Sequence, residues 1–114
     1  MCIRDRLENL DRYVADKRET AARYVEFFKG KEDITFFTEP ADCKSNYWLN
    51  AVVLKDKVAQ LEFLEYTNDH GVMTRPVWEL MNRLPMFEHC ETDGLENTEW
   101  LADRVVNIPS SVRL

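Results

Sequence analysis

The residue types best suited to chemistry gather in Gly71-Val72-Met73-Thr74-Arg75-Pro76-Val77-Trp78. A cation, a rigid ring and an indole follow one another within this stretch. Proline lacks a backbone donor and biases the residue before it toward extended geometry. The chain should therefore leave a short strand at Arg75 in a fixed direction. Arg75 and Trp78 then stand at the lip of a sheet, where ligand sites tend to gather. An anionic ligand would need a local cation, and Arg75 is the candidate; its competing role is a pair with a surface carboxylate.

Little else in the chain is equipped for catalysis. There is no Gly-rich phosphate loop, no Ser/His/Asp order and no HExxH, and the three glycines are Gly30, Gly71 and Gly94. The lysines (17, 29, 31, 44, 55 and 57) all lie in charge-rich stretches. A Schiff-base lysine needs an apolar pocket or a cationic neighbour, and none of the six has evident access to one. His70 and His89 lack partners at metal-ligand spacing. Cys2, Cys43 and Cys90 are odd in number with no CxxC, so they read as reduced thiols in a cytoplasmic protein. By itself the chain looks like part of a site, without the chemistry.

Composition sets the frame. With 114 residues, 45% hydrophobic and 32% charged, the chain suits one globular domain with a modest core. A formal charge of −6 argues against nucleic acid as a general partner. No apolar run approaches the roughly 20 residues that cross a bilayer, and no signal-peptide pattern appears.

The elements that must position Arg75 follow from periodicity. Leu7, Leu10, Val14, Ala21, Tyr24, Val25 and Phe28 recur at helical spacing, with Gly30 as the stop. Tyr13 and Phe27 add a second stripe. The helix packs against something beyond the small domain or forms two flanks of one core; the first case predicts self-association of the isolated domain. Residues 34–37 read as a short strand. Residues 46–54 read as a central strand, apolar on both faces and covered on each side, with Trp48 in the core and Asn50 as a buried polar group. Asp56 caps the next helix, whose inner face is Val58, Leu61 and Leu64 and whose stop is Gly71. A strand over 72–74, a short helix over 79–84, a helix over 95–104 with Trp100 and Leu101 inward, and a strand over 105–108 complete the order. That order predicts an α+β domain: a small, mostly antiparallel sheet with helices on one face.

Four motifs carry a resemblance: Ser45-Asn46-Tyr47-Trp48-Leu49-Asn50, the 71–78 stretch, Leu84-Pro85-Met86-Phe87 and Val106-Asn107-Ile108-Pro109-Ser110-Ser111, with Lys17-Arg18 in the leading helix. Together they resemble the C-terminal end of a DegT/DnrJ/StrS sugar aminotransferase, nearest the LegC-like branch associated with nonulosonic acid precursors. The resemblance runs from about Leu7 to Val112. It implies the small C-terminal domain of an aspartate-aminotransferase-like (fold-type I) enzyme that uses pyridoxal phosphate. Such an enzyme moves an amino group, usually from glutamate, onto a nucleotide-linked keto-sugar, and homodimerises. The cofactor lysine would sit in a large N-terminal domain preceding Leu7, so this chain alone is expected to be inactive and to bind no cofactor.

By the same resemblance the domain closes over the active site. Arg75 would fork onto diphosphate or carboxylate oxygens, and Trp78 would stack on a sugar or base face unless it packs in the core. Asn46 and Tyr47 offer hydrogen bonds at the strand entrance, and Pro109-Ser110-Ser111 anchors the terminal turn. Residues 1–6 resemble the translated end of a sequencing adaptor, which divides the chain into a non-native head (1–6) and a domain (7–114); an ordinary N-terminus is the other reading. Without those two arginines and one aspartate, 15 basic and 21 acidic side chains become 13 and 20, and the charge −7. A free-standing, non-catalytic small-molecule-binding or regulatory module remains the alternative to a transaminase domain.

Overall fold

The computed structural model describes residues 3–113. Helix α1 (Ile3–Glu8) leads into α2 (Leu10–Phe28). The expected single helix is thus interrupted at Asn9, whose backbone leaves helical geometry and whose side chain bonds back to the Asp5 carbonyl at 2.8 Å. Helix α2 ends one residue before Lys29, and Gly30 takes the left-handed conformation (φ 77°) that favours glycine. Strands β1 (Ile34–Phe36) and β2 (Asn50–Leu54) follow, then α3 (Lys57–Asp69), β3 (Arg75–Pro76), a short 3-10 turn (Met81–Arg83), α4 (Glu96–Ala102) and β4 (Val105–Ile108).

The strands form one antiparallel sheet in the order β1-β2-β4-β3. Directly paired residues share a face, so Phe36, Val52 and Val106 line up on one side. These three, with Leu54, Ile108 and Ala21 of α2, form the buried core. Tyr24 and Phe28 of α2 and Ala59, Phe63 and Leu64 of α3 close over it. Both helices therefore cover the same face, as the α+β reading expected.

The opposite face departs from the cover on both sides expected for the central strand. Ala51 and Val53 are half-buried, and Thr35 and Arg75 are exposed. Helices cover β2 on one side, because α2 and α3 share a face. Asn50 is buried as expected, with 1% exposure, and its side-chain amide finds no protein partner among the described residues.

Three further expectations change. Residues 46–49 are not strand: Tyr47 sits at φ 47°, which breaks the alternation. Trp48 is consequently 63% exposed and outside the core. The inner face of α3 is turned: Val58 and Leu61 are exposed, while Gln60 is fully buried. Gln60 Nε2 donates to the Ala102 and Val105 carbonyls at 2.9 Å each, so hydrogen bonding outweighs apolarity at this position. Trp100 and Leu101 are not inward either; Trp100 lies on the surface beneath the Arg104 guanidinium, 4.5 Å from its ring centre.

The caps of α3 follow the sequence. Asp56 Oδ1 accepts the Ala59 amide at 2.8 Å. Beyond the C-cap, His70, Gly71 adopts φ 75°, and the Val72 amide reaches back to the Thr67 carbonyl at 2.8 Å.

Candidate functional site

The strand expected over 72–74 forms instead at Arg75–Pro76, because Thr74 is anchored to the end of α3. Its hydroxyl lies 2.6 Å from that of Thr67, and Asn68 Nδ2 donates to it at 3.0 Å. Thr74 is buried, and the next residue, Arg75, pairs with Asn107 on the uncovered face of the sheet. Arg75 makes no ion pair or side-chain hydrogen bond to the described residues. It is a guanidinium held ready on a strand.

Arg75 lines a cleft of about 380 Å³ together with Lys17, Trp48, Asn107, Ser110 and Ser111. Two cations, two hydroxyls and one amide converge there, and no carboxylate of the described residues lines it. In a chain of net charge −6 this local balance favours an anion. The other candidates are distributed elsewhere. Trp78 is 83% exposed and lines a separate apolar cavity of about 500 Å³ with Met81, Phe87 and Leu95, so it is no part of the core. Tyr47 lines a third cavity of about 270 Å³. Asn46 turns its side-chain oxygen to the Trp48 amide, 3.0 Å away, and shapes the loop. The structure thus separates Arg75 from Trp78 and gives Arg75 an unforeseen neighbour in Trp48.

Loop 45–49 is held from α2. Arg18 grips both oxygens of Glu39 at 2.9 and 2.7 Å and donates to the Ser45 carbonyl at 2.5 Å. Glu39 also accepts the Ser45 amide, and its own amide donates to the Tyr47 hydroxyl at 3.2 Å. The Arg18 guanidinium lies 5.6 Å from the Tyr47 ring centre. Lys17, the preceding residue, donates to the Trp48 carbonyl at 3.3 Å and the Ser110 carbonyl at 2.5 Å. Consecutive helical residues diverge by about 100°, which lets one dipeptide reach two parts of the loop. Sequence reasoning noted Lys17-Arg18 but assigned it no role. Its adjacent cations were the available signal.

The far wall of the cleft is tied down as well. Ser110 Oγ accepts the Asn50 amide at 2.7 Å and donates to the Ile108 carbonyl at 2.8 Å, extending the β2–β4 pairing. The Tyr24 hydroxyl donates to the Pro109 carbonyl at 2.9 Å. Arg113 binds Asp16, and its amide holds the Asp16 carboxyl below the usual range.

The Arg18 guanidinium, and after it the Ser45 amide, bring the Glu39 carboxyl down to about 2. The unfolded-state value is about 4.3. Glu39 therefore contributes its full stabilisation above about pH 5 and loses it as the pH falls toward 2. Thermal melts from pH 7 to 2 should show a falling melting temperature over that window. Glu39→Gln should melt lower at pH 7 and show a shallower acid slope; an unchanged slope would refute the clamp.

A model of the DegT/DnrJ/EryC1/StrS aminotransferase family matches residues 1–114. The chain belongs to that family. A putative pyridoxal phosphate-dependent aminotransferase of Bacillus subtilis, EpsN, is 26% identical over 108 residues, covering 91% of this chain and 28% of that protein. The sugar aminotransferase CalS13 of Micromonospora echinospora is 25% identical, with a TM-score of 0.78 over 95% of this chain and 28% of its own. TlmJ, an aminotransferase of Streptoalloteichus hindustanus, shares the fold with a TM-score of 0.83 at 22% identity over 92% of this chain and 28% of its own. The chain thus spans little more than a quarter of the length of these relatives.

The cofactor expected of DegT-family aminotransferases is pyridoxal phosphate, and the described residues alone do not fit it. Lys17 is bound by two carbonyls, and Lys29, Lys55 and Lys57 face carboxylates. Lys31 lies over the Phe27 ring, and Lys44 is exposed on a loop. Lys17, Lys29, Lys31 and Lys44 border open clefts. However, Lys17, Lys29 and Lys31 are engaged by carbonyls, a carboxylate or a ring and Lys44 lies beside Glu39, and none is enclosed in the apolar surroundings that a condensing amine requires.

Proposed function

We propose that this chain forms the substrate-side domain of a pyridoxal phosphate-dependent sugar aminotransferase. In this reading the enzyme transfers an amino group from glutamate to the keto carbon of a nucleotide-linked sugar, on a route to nonulosonic acids or cell-surface polysaccharide. The cofactor supplies the electron sink, and its lysine belongs to the part of the relatives that this chain does not cover. The chain alone is then inactive. The working enzyme is a cytoplasmic homodimer, and residues 7–114 are its small domain.

The observation that carries this reading is the carboxylate-free cleft around Arg75. A guanidinium without an internal partner can fork onto two oxygens of a diphosphate, and Trp48, beside it, offers a broad ring face. Arg75 fixes the anionic part of the substrate, and Asn46 and Tyr47 shape the loop above it. Trp78, on its own exposed cavity, is available to the more distant sugar or base. Leu7 and Leu10 are exposed at the end of α1 and the start of α2, which agrees with a leading helix whose apolar stripe continues onto another part of the protein.

Titration of the isotopically labelled chain with UDP tests the site. Amide shifts at Arg75, Asn107 and Ser111 are expected, with affinity falling about 10- to 100-fold in Arg75→Gln, the range for losing a charged hydrogen-bonding group. Shifts elsewhere, or none, would refute it. Incubation with pyridoxal phosphate followed by borohydride should leave no stoichiometric, site-specific lysine adduct. A single lysine modified at full occupancy would make the chain a cofactor-binding protein in its own right.

A further inference from the structure

The cleft has two walls that do not touch through the backbone ladder: loop 46–49 and the turn 109–111. Lys17 Nζ is bonded to both, at Trp48 O and Ser110 O. These partners lie 31 and 93 residues away in sequence. An ammonium has three donors, and Lys17 spends two of them on main-chain carbonyls, one per wall. The remaining bonds of each wall run within it or to other supports: Trp48 N to Asn46 Oδ1, and Ser110 Oγ to Asn50 N and Ile108 O. Arg18 bonds the Ser45 carbonyl and lies over the Tyr47 ring, and the Glu39 amide bonds the Tyr47 hydroxyl, so the loop is supported as far as Tyr47, whereas the Trp48 carbonyl is held by Lys17.

From this geometry we infer that Lys17 is the positioning residue that sets the spacing of the two walls around Arg75, so that capture of a diphosphate by Arg75 depends on it. The inference rests on the proposed substrate cleft. Its physical basis is the left-handed backbone at Tyr47, a conformation that side chains other than glycine adopt only when the surroundings hold it. The carbonyl immediately following that residue is the one Lys17 takes. Without the ammonium, the Trp48 carbonyl loses its hydrogen bond, and the loop beyond Tyr47 can relax toward the extended alternation of its residue types. Trp48 would then swing, and the cleft would lose the face that stands beside Arg75. Lys17 acts through the walls, while Arg75 is the group that meets the ligand.

The test compares Lys17→Met and Lys17→Arg with the wild-type 114-residue chain, each at a temperature where it is fully folded by circular dichroism. Without ligand, Lys17→Met should shift the amides of both 47–49 and 110–111, while Lys17→Arg, which keeps charge and donors, should leave both near their native positions. With UDP as the probe, Lys17→Met should bind at least 10-fold more weakly and Lys17→Arg within about 3-fold of wild type. Restoration by arginine at equal foldedness is the readout that loss of general stability would not produce. Should Lys17→Met fail to fold, Lys17→Gln, which retains a donor for one carbonyl, replaces it and should move one wall and fall between the two affinities. UDP binding by Lys17→Met equal to wild type would overturn the inference while leaving the cleft intact. Absence of UDP binding by the wild-type chain would overturn the cleft reading, and this inference with it.

Discussion

Phe36→Ala is expected to destabilise the domain by about 3–5 kcal/mol, the range for truncating a buried aromatic ring. Phe36 is 6% exposed and sits where three segments meet. Its ring centre is 5.7 Å from Tyr24, 6.4 Å from Phe28 and 6.5 Å from Tyr47, stacked in each case. Two of these partners belong to α2 and the third to the loop of the cleft. The cavity left by alanine would therefore loosen the helix and the site together. Domains of this size are stable by about 5–15 kcal/mol, so the variant should approach its unfolding midpoint in low urea. Urea titration followed by circular dichroism measures it. A cost below about 1 kcal/mol would show that the aromatic cluster is peripheral. Phe36→Leu, which fills much of the volume, should recover most of the loss.

Gln60→Leu should cost about 2–4 kcal/mol although it makes the side chain more apolar. The amide group of Gln60 satisfies two backbone carbonyls between α4 and β4, and its own oxygen accepts Lys57 Nζ at 2.9 Å. Leucine supplies no donor, and each buried acceptor left unpaired costs about 1–3 kcal/mol. Gln60→Glu separates this from volume. A carboxylate would be fully buried and face two carbonyl oxygens, which together outweigh the half-exposed Lys57 ammonium beside it, so the folded state would favour its neutral form and raise its pKa above the unfolded value. That variant should therefore gain stability relative to wild type as the pH falls through the raised value, the reverse of the Glu39 behaviour. If Gln60→Leu melts at or above wild type, burial of apolar volume outweighs the two bonds.

Gln60 also illustrates what the sequence hides. Residues 57–69 carry helix signals at both ends, and Asp56 and Gly71 act as read. Their rotation about the helix axis was misread, because the face is decided by carbonyls at 102 and 105, some 40 residues on. Strands 34–36 and 105–108 were legible from short apolar runs between breakers. The entry to β2 was not. Asn46-Tyr47-Trp48-Leu49-Asn50 alternates like a strand, yet Arg18 and Glu39 hold the Tyr47 side chain, and Lys17 the Trp48 carbonyl, in another shape. Arg75 could be singled out from its neighbours Thr74 and Pro76. Its companions in the cleft could not, since Lys17, Trp48 and Ser110 come from three distant segments. Local periodicity records which residues want burial. It does not record which long-range hydrogen bonds will claim the backbone.

The strand order has a consequence for how the molecule comes into being. In β1-β2-β4-β3, the strand synthesised last lies inside the sheet, between β2 and β3. While a ribosome is still making residues 105–108, β1 and β2 can pair as a hairpin, but β3 has nothing to join and β2 presents an open edge. A lone two-stranded hairpin is marginal in water, and an open edge invites foreign strands. The nascent domain therefore stays unassembled until β4 emerges, and then closes in one step that also brings the turn at 109–111 to Lys17. Ribosome stalling before residue 105 should yield a protease-sensitive chain, whereas stalling on a linker of a few dozen residues appended after Leu114 should yield a resistant one.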